Sequence, residues 1–173
     1  METAERAEFA HKRTLFAKIR AVAKVGNYVA LAKVLTRCSS PLGFLARYLR
    51  PVGAYPADLT IKTPIGAVRV TAFLPDDIMT INEIFFRGDY GDSREDRVVV
   101  DFGSNIGVSA LFFLSRRADA VVYCHEPLPQ NLEKLKRNLS GFEKRYHLAE
   151  VAVAEWFRRE PPAGLQDEPV SLT

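Results

Sequence analysis

The stretch Val98-Val99-Val100-Asp101-Phe102-Gly103-Ser104-Asn105-Ile106-Gly107-Val108 decides how this chain is read. Three valines in succession suit a parallel strand, expected from Arg97 to Asp101 and buried on both faces. The run ends in an acid, and a turn with two glycines follows. Ile106 to Leu114 is then apolar nearly all round, as in a helix packed tightly against a sheet. Arg116-Arg117-Ala118-Asp119 closes that helix with charges suited to a C-terminus.

Downstream the pattern repeats. Ala120 to Glu126 reads as a second buried strand that also ends in an acid. Pro127 and Pro129 restrict the turn after it, and Pro129 suits the first position of a helix. Leu132, Leu135 and Leu139 give that helix one apolar stripe, Lys134, Lys136 and Arg137 fill its outer face, and Gly141 is a natural stop. His147 to Ala154 is a third strand. The strand–helix–strand–helix–strand order predicts a parallel, Rossmann-like α/β arrangement with right-handed crossovers. Residues 156–173 carry Pro, Gly and charge without periodicity and read as a loop or disordered tail.

Upstream, residues 1–50 read as helical, with Leu15, Phe16, Ile19, Val22 and Val25 at helical spacing. This segment holds ten Lys or Arg against three Glu, a local net charge of +7, whereas the whole chain carries +3. A solvated helical cap accounts for such a face, and the general frequency of amphipathic faces favours it. The other reading is contact with an anionic membrane surface; nucleic acid is not expected. Residues 51–96 form a lead-in. Leu59 and Ile61, then Pro64-Ile65-Gly66, then Val68, Val70 and Ala72 predict a β-hairpin from about 58 to 74. Asp76, Asp77 and Thr80 offer caps for a short helical turn. Residues 97–155 then hold the first half of an α/β domain.

Composition narrows the class. With 173 residues, 47% hydrophobic and 26% charged, the chain can build one sizeable core or a small domain with an extension. Cys38 and Cys124 lie far apart, fit no metal spacing and read as reduced thiols. The acidic, polar start is unlike a secretory signal, so a cytoplasmic location is expected, and Arg87-Gly88-Asp89 has no adhesion context. The most apolar early run, Ala21 to Leu35, is broken by Lys24, Gly26, Asn27 and Lys33. It falls short of the roughly 18 consecutive apolar residues of a spanning helix.

In an open parallel sheet, ligands bind beyond the C-terminal ends of the strands. Asp101 and Glu126 fall at two such ends, with Gly103-Ser104-Asn105-Ile106-Gly107 between them. Glycines there let the backbone bend sharply and approach a ligand. The next helix begins with free N–H groups at the same place. Glu126 comes 19 positions after Gly107, the spacing of an acid that takes ribose hydroxyls. A dinucleotide site wants G-x-G-x-x-G, with the middle glycine making room for a pyrophosphate. Here that middle position is Asn105, and Asp101 brings negative charge. Both disfavour a pyrophosphate and favour a cation. S-adenosyl-L-methionine, an ammonium and a sulfonium without phosphate, suits these electrostatics.

Val99 to Gly107, followed by His125-Glu126-Pro127-Leu128-Pro129-Gln130-Asn131 and by Leu135 and Asn138-Leu139, resembles the FkbM family of S-adenosylmethionine-dependent methyltransferases. Asn82-Glu83-Ile84-Phe85 with Tyr90, and Ala152-Val153-Ala154-Glu155, look like the same family, so the resemblance spans about residues 76 to 155. It implies a class I methyltransferase sheet and methyl transfer, commonly to a hydroxyl of a sugar or small molecule. By that resemblance Asp101 and Gly103 line the methionine part of the cofactor. Ser104, Asn105 and Gly107 belong to the cofactor loop, Glu126 holds the ribose, and Glu155 is a candidate at the adenine end. Phe102 departs from the small residue usual there and is expected to be tolerated as a core side chain. The resemblance also implies more strands than the three read here, so the expectation is a shortened chain. The acceptor pocket and the catalytic base have no assigned residue. His125 is expected to pack rather than catalyse, Asn131 to support the turn, and Trp156 to be core, while His11 and His147 carry no supporting partners. Two rivals stand beside this reading: a dinucleotide-binding oxidoreductase module, and a non-catalytic, degenerate methyltransferase that binds a partner through its basic N-terminal helices.

Overall fold

The computed structural model describes residues 25–50, 53–91 and 93–151. The expected helix through Leu15 to Val22, Glu155, Trp156 and the tail lie outside the described residues. The chain divides into two compact units. Among the described residues no helix is long and apolar enough to cross a membrane.

The first unit combines the helical segment with the hairpin lead-in. Helix α1 (Val25–Arg37) buries Ala30 and Val34, with Cys38 just beyond its end, at successive fourfold spacing. Helix α2 (Pro41–Leu49) starts on its proline and buries Phe44, whose ring meets that of Phe86 edge-on at 5.0 Å. Strands β1 (Ala57–Thr63) and β2 (Gly66–Ala72) pair as a two-stranded sheet. Ala57, Leu59 and Ile61 alternate inward along β1, and the hairpin read from the sequence is present. The Ser39 N–H donates to the Thr60 carbonyl at 2.9 Å, which fastens the helical segment to β1. Helix α3 (Pro75–Ile81) is started by Asp77, whose Oδ2 accepts the N–H groups of Phe73 and Leu74 at 2.7 and 2.8 Å. A π-helical turn (Asn82–Arg87) continues it and ends at Gly88, where φ is +82°. Arg87 and Asp89 are bonded to each other across that glycine.

The second unit is the parallel α/β part. Strands β3 (Val98–Phe102), β4 (Val121–His125) and β5 (Tyr146–Ala149) lie in the order β3-β4-β5, all parallel. Helices α4 (Val108–Leu114) and α5 (Pro129–Asn138) connect them. Leu132, Leu135 and Leu139 are buried, as the stripe requires. Arg145 joins the layers. Its guanidinium donates to the carbonyls of Leu114, Arg117 and Ala120 at 2.8, 2.7 and 3.0 Å, at the end of α4 and the entrance to β4.

Two expectations fail in β3. The valine run is not buried on both faces: Val98 is 49% exposed, and Val99 and Val100 are half-buried. Among the described residues β3 pairs with β4 alone, and α4 covers one face. Phe102 is likewise not a core side chain. It is 41% exposed, because strand alternation sets it on the face opposite Asp101, which is the residue that bonds to α4. There its ring lies 5.0 Å from that of His125.

Candidate functional site

The register Asp101↔Cys124 and Phe102↔His125 brings the ends of β3 and β4 side by side. Both Gly103 and Ser104 donate their N–H to the His125 carbonyl, at 2.9 and 3.1 Å, so the loop turns back over the end of β4. Three residues of the loop lie in the left-handed region: Gly103 at φ +75°, Asn105 at +47° and Gly107 at +81°. Asparagine is one of the few side chains that adopts this conformation readily.

The two glycines serve different ends. A Cβ on Gly107 would stand 3.0 Å from Leu135 Cγ and 3.3 Å from Leu135 Cα, so this glycine lets α5 approach the loop. A Cβ on Gly103 would meet nothing within 4 Å, and the residue is exposed. The backbone at Gly103 is thus open to a ligand. Asn138, buried on α5, donates through Nδ2 to the Ile106 carbonyl at 2.8 Å and fixes the loop from beneath.

Asp101 is held from both sides. Ser109 of α4 donates Oγ–H to Asp101 Oδ2 at 2.7 Å, and Ser104 donates to the Asp101 carbonyl at 2.8 Å. Burial pushes the Asp101 carboxyl above the usual carboxylate range. The Ser109 and Ser104 hydrogen bonds and His125 pull it back, and Glu126 adds to the rise. His125 is buried, and desolvation lowers its pKa. Burial drives the Cys124 thiol up to about 12, which leaves it unreactive.

Glu126 is 4% exposed, and its carboxylate is engaged by the protein. Oε2 accepts the Asn105 N–H at 2.8 Å. Oε1 accepts the Leu128 N–H at 3.0 Å and Asn131 Nδ2 at 3.2 Å. A carboxylate offers about four acceptor positions, so about one is left for a ligand hydroxyl. Five predicted residues, Asp101, Gly103, Ser104, Asn105 and Glu126, therefore meet at one end of the sheet, and Gly107 supports them from the loop's far side. Glu155 lies outside the described residues. Asn131 bonds to Glu126 at the start of α5, and His147 stacks on Tyr123 with ring centres 4.7 Å apart.

The sequence reading gave no role to Ser109 or Asn138. Each is a lone polar residue on an apolar face, Ser109 between Val108 and Ala110, Asn138 between Leu135 and Leu139. That isolation is the signal that could have found them.

The residues fit part of S-adenosyl-L-methionine. A shielded carboxylate beside an open glycine suits the cationic methionine end, and Glu126 retains room for about one ribose hydroxyl.

No protein-family model matches the chain, and no curated protein matches it. Solved structures do. Precorrin-6y C5,15-methyltransferase from Geobacter metallireducens is 23% identical at a TM-score of 0.34, covering 46% of this chain and 40% of that one. A protein from Staphylococcus aureus provisionally named caffeoyl-CoA O-methyltransferase is 22% identical at 0.38, covering 46% and 38%. A provisionally named transferase from Pyrococcus horikoshii is 15% identical at 0.40, covering 60% and 39%. The chain spans about two fifths of the length of these structures. The likeness is one of fold, and two of the three proteins carry the name methyltransferase.

Proposed function

We propose that this chain belongs to an S-adenosylmethionine-dependent methyltransferase of FkbM type, cytoplasmic, acting on a hydroxyl of a sugar or other small molecule. One observation supports the reading above the others. The Asp101 carboxylate is half-buried and held by Ser109, beside the open backbone of Gly103, and Asn105 stands where a dinucleotide site would need room for phosphate. When bound, the cofactor supplies an electrophilic methyl group on a sulfonium. Asp101 and Gly103 would hold its methionine part, Ser104 and Asn105 would shape the loop around it, and Glu126 would take a ribose hydroxyl. Positioning of an acceptor hydroxyl and removal of its proton are the remaining requirements of the reaction.

Calorimetric titration of the purified chain with S-adenosylmethionine, and separately with NAD, tests this. Saturable heat with S-adenosylmethionine alone is expected, lost in Asp101→Ala and in Glu126→Ala. Heat with NAD alone, or with neither, overturns the reading.

A further inference from the structure

Helix α1 is apolar on two sides. Its buried side is Ala30 and Val34. On the other side Tyr28, Leu31, Ala32 and Leu35 follow one another at i, i+3, i+4 and i+7, all exposed, with Val29 beside them. Tyr28 is 60% exposed. Thr36, the one polar residue within this arc, turns its hydroxyl back onto the Ala32 carbonyl at 2.7 Å. Helix α2 repeats the arrangement. Leu42, Ala46 and Leu49 lie at i, i+4 and i+7 and are exposed, Leu42 by 78%. A solvated helix carries polar side chains on such a face.

The charge carried by these two helices themselves has one sign, whereas the elements they pack against also hold Asp76, Asp77 and Glu83. Residues 25–50 contain Lys33, Arg37, Arg47 and Arg50 and no acid. Arg37 lies on one border of the α1 face and Arg50 follows α2, while Lys33 is engaged within the protein, its ammonium beside Gly88. Arg47 is turned inward, over the Tyr55 ring and onto the Ala54 carbonyl.

From this geometry we infer that α1 and α2 form a peripheral docking surface for an anionic lipid bilayer, with their leucines entering the acyl boundary and the flanking cations meeting the headgroups. Charge complementarity selects this occupant. A second copy would bring cations against cations. Residues 1–24 hold six Lys or Arg against three Glu, so that segment also has the wrong sign to cover the face. Nucleic acid would satisfy the cations but gain nothing from exposed leucines. The surface belongs to the first unit and is independent of the cofactor reading.

Co-sedimentation of the full chain with vesicles is the test. Vesicles of phosphatidylcholine and phosphatidylglycerol in a roughly three-to-one ratio are compared with phosphatidylcholine alone. The wild type is expected to sediment with the anionic vesicles and to be released by salt. L31Q/L35Q and L42Q/L49Q each lower the partition by roughly tenfold or more, and R37Q/R50Q lowers it by roughly fivefold per charge. All four leucines are exposed, so an unchanged circular dichroism spectrum certifies the variants. Three results overturn the proposal: no vesicle binding by the wild type, with or without a dimer or a duplex nucleic-acid complex that the glutamine variants abolish, binding equal on both vesicles, or unchanged binding by the glutamine variants.

Discussion

Asp101 carries two demands that pull against each other. Its charge is what would attract a sulfonium and an ammonium, yet burial disfavours that charge. The folded-state pKa lies above the unfolded one, so the group's contribution to stability is fully present below the unfolded pKa. It is lost as pH rises through the folded pKa. Asp101→Asn is therefore expected to raise the melting temperature at pH 7 while abolishing cofactor binding. Thermal melting paired with calorimetry reads both; a lowered melting temperature would show that the charged form is stabilised in the fold. Ser109→Ala removes the donor that lowers the Asp101 pKa. Cofactor affinity should then begin to fall at a higher pH than in the wild type, and a pH series of Kd values checks this. The glycines separate packing from access. Gly107→Ala meets Leu135 and an unfavourable φ and should cost about 2–4 kcal/mol in urea unfolding. Gly103→Ala should cost about 1–2 kcal/mol, with its larger effect on cofactor affinity.

The elements were legible where punctuation and periodicity agree. The prolines at 127 and 129, the leucine stripe of α5 and the Pro-Ile-Gly turn of the hairpin leave little choice of element. Burial was less legible. Three valines spell a strand equally well with one covered face or two, and neighbours, not composition, decide between them. The loop was legible in its residue types, because Asp101, Asn105 and Glu126 announce charge and a turn. Its hydrogen bonds were not, since they join residues up to 32 positions apart. Arg145 shows the same limit: a cation in a loop before β5 gives no sign that it serves three carbonyls of another connection. Arg145→Met leaves those carbonyls without their charged donor. It should destabilise the protein by about 2–4 kcal/mol by urea unfolding.

For the whole molecule, the division into two units predicts where a ligand is felt. A cofactor at one hundred times its Kd stabilises the state it binds by about 2.7 kcal/mol. Hydrogen exchange with and without S-adenosylmethionine should slow in residues 98–139 and stay unchanged in 57–63 and 67–72. Protection spread over both would show that the units respond as one. The Glu126 carboxylate bears on the speed of that binding. Its bonds to Asn105, Leu128 and Asn131 tie the loop, the end of β4 and the start of α5 into one arrangement that the chain's own donors maintain. Under the proposed function, a cofactor arriving there would add a hydroxyl to a finished cradle and would not have to gather one. Its capture should therefore be set by diffusion and orientation, with no slow ordering phase in stopped-flow traces and little conformational entropy surrendered on association.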